Sequence, residues 1–102
     1  MTVWIVGISN CESNSIKAVC INKAIAEREL FKTRNELIAE WIEADINAQK
    51  GIENFCKKEN KPIWIENTYK EMITALASDG YERWNNYPHD KPYLYEIEVM
   101  EV

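Results

Sequence analysis

Few residues in this sequence have the chemistry to attack a bond or move a proton. Cys11, His89 and Asp90 are the combination suited to nucleophilic catalysis. The imidazole would take the thiol proton and a carboxylate would orient the ring. Cys11 stands in a polar stretch, and His89 sits between Pro88 and Pro92. No family signature surrounds Cys11, so a loop cysteine beside a turn histidine accounts for the same residues. A small cysteine-dependent enzyme centred on Cys11 and His89 is therefore the alternative reading.

Other site chemistries find less support. A zinc site needs four ligands, usually in close pairs. Cys11, Cys20, Cys56 and His89 are 9, 36 and 33 positions apart, so no metal and no cofactor is expected. Glu36, Glu40 and Glu43 fall on one helical face near Lys32, as on a solvated surface. Gly7, Gly51 and Gly80 stand alone, without a phosphate-cradling loop. Lys57, Lys58 and Lys61 form one small basic turn, interleaved with Glu59 and lacking a basic aromatic platform. Direct nucleic-acid binding is not expected.

The sharpest interaction candidate is the run Tyr81, Trp84, Tyr87, with Glu82 and Asp90 interspersed. Trp and Tyr dominate binding hot spots because they offer large, rigid area with a polar handle. The same rings would also serve to close the core of a small domain. Glu96 and Glu98 follow on an alternating stretch, where they suit a wet sheet face or a guarded edge. Residues 62–102 carry three basic and eight acidic side chains, so the whole net charge of −5 lies there. Seven of the eleven aromatic residues lie there too. An acidic aromatic segment repels phosphate backbones and suits a basic protein partner.

These residues need a scaffold, and 102 residues with 46% hydrophobic content suffice for a single globular α+β domain. No apolar run is long enough to span a membrane, and Met1–Gly7 lacks the features of a secretory signal. An odd cysteine count argues against a disulfide framework, so a cytoplasmic protein is expected. Val3–Ser9 and Ile16–Ile21 read as two strands of an antiparallel hairpin. Asn22 is a helix N-cap for a long helix from Lys23 to about Ala48. Its apolar face joins Leu30, Leu37, Trp41, Ala44 and Ala48 to a second row of Phe31, Ile38, Ile42 and Ile46. Gly51 ends or bends it, with Ile52, Phe55 and Cys56 in a further short helix or a continuation. Residues 63–65 read either as a brief strand or as the lead-in to the next helix.

Thr68 and Glu71 match a capping box for a helix that starts there or near Glu66 and closes at Asp79-Gly80, with Gly80 free to turn left-handed. Residues 81–92 are a loop or an irregular helical turn. Tyr93–Val99 is a last strand that pairs with the first, with Tyr93, Tyr95, Ile97 and Val99 on one face. The order β-β-α-α-α-β implies a small antiparallel sheet with helices packed on one face. Arg34 falls inside the apolar sector of the long helix. It reads as a guanidinium laid over the core edge, or as part of a helix-binding face that would make the chain a homodimer.

The opening VWIVG, the helix stretch ERELFKTRNELIAEW and the closing YEIEVMEV resemble small uncharacterised accessory proteins of phages and prophages of low-GC bacteria. That resemblance brings no catalytic residues with it. It implies a chain that works in the host cytoplasm by binding a host protein, as do acidic inhibitors of defence nucleases such as CRISPR effectors. The expectation is a non-enzymatic inhibitor whose partner-binding residues are Tyr81, Glu82, Trp84, Tyr87, Asp90, Glu96 and Glu98.

Overall fold

A computed structural model describes residues 1–10 and 12–100. The fold is α+β, built of a small antiparallel sheet and helices. In chain order the elements are β1 (Thr2–Ser9), β2 (Asn14–Cys20), α1 (Lys23–Glu59), α2 (Thr68–Ser78), a 3-10 helix (Tyr81–Asn86) and β3 (Lys91–Glu98). They form two compact units, one of Met1–Glu36 with Asp79–Val102, the other of Leu37–Ser78.

In the first unit the strand order is β2-β1-β3, and the last strand pairs with the first as expected. β-branched and aromatic residues favour these strands, and Asn10 shapes the turn between β1 and β2. Its side-chain oxygen accepts from the backbone N–H of Glu12 and of Ser13, each at 2.8 Å. The open end of the sheet is tied by Val99 N–H donating to Met1 O at 2.7 Å.

The β1–β2 ladder is not regular. Val6 faces Ala18, but Gly7 faces Ile16, so Lys17 is an extra residue on β2. Gly7 is required where it stands, since a Cβ would run into the Ser15 carbonyl and the Tyr93 ring. Trp4, Val6 and Ile8 share one face of the sheet with Leu94 and Pro92, and Val6 and Pro92 are fully buried. In the first half of α1, Ala26 and Leu30 are also fully buried.

Asn22 caps α1 as its position implied, its side-chain oxygen accepting from Ala24 N–H at 2.8 Å and Ile25 N–H at 3.2 Å. The helix then runs through Gly51 without a break, and the expected further helix is its continuation. A helix of good formers tolerates one exposed glycine at a cost of only about 1 kcal/mol. The stripe Leu30, Leu37, Trp41 is buried as expected. The second row is not: Ile42 and Ile46 are exposed, Ile38 is half-buried, and Phe31 is partly covered by Tyr81 and Trp84. Arg34 lies 5.1 Å over the Phe31 ring and donates to Asn35, which is the edge-covering geometry.

In the second unit α1 ends on Asn60, which takes the left-handed conformation at φ 53°. Lys61 N–H then donates back to Cys56 O at 2.9 Å, and Cys56 is buried. Residues 63–65 belong to neither a strand nor a helix. The Thr68/Glu71 box does not form. Glu66 instead takes the Thr68 hydroxyl at 2.6 Å and the Asn67 and Thr68 N–H groups at 3.0 Å, which holds its carboxyl below the ordinary range. Lys70 pairs with Asp45 at 3.0 Å, tying α2 to α1.

Candidate functional site

The acidic aromatic segment is organised around a residue that pattern reading passed over, Asp79. Its carbonyl accepts from Trp84 Nε1 at 3.2 Å, and its carboxylate accepts from the Tyr87 hydroxyl at 2.6 Å. Arg83 reaches the same carboxylate at 4.0 Å. Burial first, and the adjacent Asp79 second, push the Tyr87 phenol up to about 12. Gly80 is not left-handed but extended, with φ −72° and ψ 156°, and begins the 3-10 helix rather than closing α2 in a left-handed cap. Lys91 closes the other end of this turn, donating to Asn85 O at 2.7 Å and Tyr87 O at 3.1 Å.

This arrangement decides where the expected partner-binding residues stand. Trp84 is 0% exposed, so it is a core side chain and not a surface anchor. It is packed edge-on against Phe31 and Tyr81, at 6.1 and 6.3 Å between ring centroids. Tyr87 is half-buried and engaged by Asp79. Asp90 accepts from the Asn10 side chain at 2.8 Å, which pins the β1–β2 turn to the start of β3. Glu98 holds the chain's own N-terminal ammonium at 3.0 Å and the Thr2 hydroxyl at 2.7 Å. Tyr81, Glu82 and Glu96 are exposed. Trp84 is thus withdrawn from the surface, and Tyr87, Asp90 and Glu98 have partners within the chain. These four of the seven are occupied in building the fold.

Cys11 lies outside the described residues. His89 Nδ1 is 3.1 Å from Asp90 O, and its ring meets Tyr87 at 4.9 Å. Asp90 therefore meets the imidazole through its backbone, while its carboxylate is bonded to Asn10. Among the described residues no group of three His, Cys, Asp or Glu is arranged to hold a metal ion. No helix of the described residues is long and apolar enough to cross a membrane.

A different surface emerges from the ladder. Val3, Ile5 and Gly7 point to the face opposite Val6, together with Tyr93, Tyr95 and Ile97 of β3. Strict alternation would send Ile16 and Val19 of β2 to opposite faces. The bulge at Lys17 puts both on this one, since Ile16 pairs with Gly7 and Val19 with Ile5. Ile16, Val19, Tyr95 and Ile97 are 41–63% exposed. Tyr95 packs on the buried Tyr93 at 4.9 Å between centroids, which holds the outer ring in place. The strand run Tyr93–Val99 was legible as one apolar face, but its membership from β2 was hidden by the extra residue.

No protein family, curated protein or solved structure matches the chain.

Proposed function

We propose that the chain is a non-enzymatic protein-binding module whose docking surface is the open face of its sheet. One observation carries the reading: Ile16 and Val19 on β2 and Tyr95 and Ile97 on β3 are exposed apolar side chains on one face, flanking the half-buried Ile5 of β1. Contiguous apolar surface of this kind is costly to leave in water and marks interaction sites. The aromatic member is a tyrosine held by its neighbour, the residue type that anchors interfaces at low entropic cost.

Charge supports a basic partner. Glu96 is exposed on the edge strand β3, on the face opposite Tyr95 and Ile97, Glu82 is exposed in the same unit, and the net charge is −5. Such a field speeds encounter with a positive surface and is screened by salt beyond about 8–10 Å. The resemblance to phage accessory proteins favours a host target, a defence nuclease or CRISPR effector, inhibited by occupation of its working surface in the host cytoplasm.

The test is capture from a host-type bacterial lysate at low and high salt, with Val19→Asp and Tyr95→Ala as controls whose folding is checked by circular dichroism. A basic protein held by the wild type at low salt and lost with both variants is the expected result. Retention of the same proteins by folded Val19→Asp would overturn the assignment.

A further inference from the structure

The second unit carries its own exposed apolar cluster, remote in sequence from the sheet. Phe55, Ile63, Trp64 and Ile65 are 45–68% exposed. Phe55 and Trp64 meet edge to face at 6.3 Å, and the Lys61 ammonium lies 5.5 Å over the Phe55 ring. Lys58, one helical turn on from Phe55 in the last turn of α1, is exposed as well, and Glu59 and Glu66 are the acidic residues of the stretch 57–66. Sequence spacing hid this cluster because it depends on α1 continuing to Glu59 and the chain returning along it.

The backbone of the returning segment is held in a particular way. Gln49 donates from its side-chain amide to Trp64 O at 2.9 Å and accepts from Glu66 N–H at 3.2 Å. One amide group thereby bonds both sides of Ile65, as a neighbouring strand would do in a sheet. In such an extended stretch the N–H and C=O of Ile65 itself point the other way. Neither makes a hydrogen bond to a described residue. The outer side of Ile65 is thus a single strand rung, backed by Gln49 and bordered by apolar side chains and lysines.

We infer that this rung is a docking ledge for an extended acidic peptide of a protein partner, which adds to it as a strand. Main-chain hydrogen bonds to Ile65 supply the register, and alternate side chains of the peptide meet Ile63, Trp64 and Phe55. Lys58 and Lys61 supply the charge complement. Single-stranded nucleic acid fits less well, because stacking needs open ring faces and Lys61 already lies over that of Phe55. An anionic lipid surface fits less well too, because it would leave the Ile65 N–H and C=O unpaired in an apolar layer. The ledge is independent of the sheet face.

The experiment is amide-resolved NMR titration of the full chain with a short peptide of alternating Glu and Val, against its Lys–Val counterpart. Shift changes confined to residues 55–65 and the Gln49 side-chain amide, with slowed exchange of the Ile65 N–H, are expected from the acidic peptide alone. Ile65→Pro removes the donor at an exposed site, and Lys58→Glu with Lys61→Glu reverses the charge. Each should weaken binding roughly tenfold or more, with the remaining spectrum unchanged, whereas Val19→Asp should leave it intact. Equal binding of the Lys–Val peptide, undiminished binding by folded Ile65→Pro, or shifts on the sheet would overturn the proposal. So would the same residues responding to phosphatidylglycerol vesicles or oligothymidylate but not to the peptide.

Discussion

The Tyr87 phenol donates to Asp79 Oδ2 across 2.6 Å, and this one bond ties the end of the 3-10 helix to its beginning. The phenol has its pKa pushed up to about 12, from an ordinary value of 10.0. The neutral form is therefore favoured in the folded state. Stability from this source is complete below pH 10.0 and falls as pH rises toward about 12, because there the unfolded chain has lost a proton that the folded chain keeps. Ultraviolet titration should show one of the five tyrosines ionising late, and Tyr87→Phe should remove that late step. The same substitution should cost about 1 kcal/mol near neutral pH, read from urea unfolding.

Glu98 gives the opposite sign at the other end of the pH scale. The Thr2 hydroxyl first, and the N-terminal ammonium second, hold its carboxyl below 4.5. Its contribution is present above pH 4.5 and disappears as pH falls through the lowered value. The group is fully exposed, so the effect is local. Amide exchange at Thr2 and Val99 should accelerate only on acidification below that point. Glu98→Gln should show the faster exchange already at neutral pH, with the midpoint of global unfolding little changed. A neutral-pH exchange pattern identical to wild type would count against the clamp.

Trp84 separates what was legible in the sequence from what was not. The strands, the capped long helix and the β1–β3 pairing follow from alternation, helical spacing and Asn22, all local signals. Whether Trp84 faces water or core depends on Asp79 and on Lys91 folding the turn inward, and those contacts have no periodic signature. The bulge at Lys17 is hidden for a related reason. One extra residue in an exposed strand leaves no mark in composition, yet it reverses which β2 side chains join the sheet face. The end of α1 was blurred because Gly51 is a breaker in isolation but only a small cost inside a long helix.

From its burial, Trp84→Ala should destabilise the protein by about 3–5 kcal/mol through lost transfer energy and a cavity. Thermal and urea unfolding would measure it. Loss of partner binding in that variant would then report unfolding and not an interface contact. Tyr81→Ala, at an exposed ring on the same turn, should cost less than Trp84→Ala. Equal losses for the two would contradict the burial difference.

Gly51 lies inside α1 with open space where a side chain would begin. Gly51→Ala should therefore stabilise the protein by about 0.5–1 kcal/mol, chiefly by reducing the freedom of the unfolded chain. The check is a higher urea midpoint at unchanged slope. A lower midpoint would mean that the helix does not run unbroken through this position.

Deleting Lys17 tests the bulge and the exposed face together. Without that residue, Ile16 still meets Gly7 and Ala18 still meets Val6, so both halves of the β1–β2 ladder keep their partners. Cross-strand NOEs should show those pairs in a now regular hairpin, with stability changed by less than about 1 kcal/mol. What the deletion removes is the charge and the kink on an edge strand, two devices that discourage strands of other molecules from adding to it. The shortened protein should therefore self-associate at lower concentration than wild type, by light scattering or sedimentation. Adding Val19→Asp should restore the monomer, because it places a charge back on the same strand and on the apolar face. If the deletion variant keeps its pairing but stays as monomeric as wild type, the bulge serves only to align Ile16 with Val19 and the edge is protected by something else.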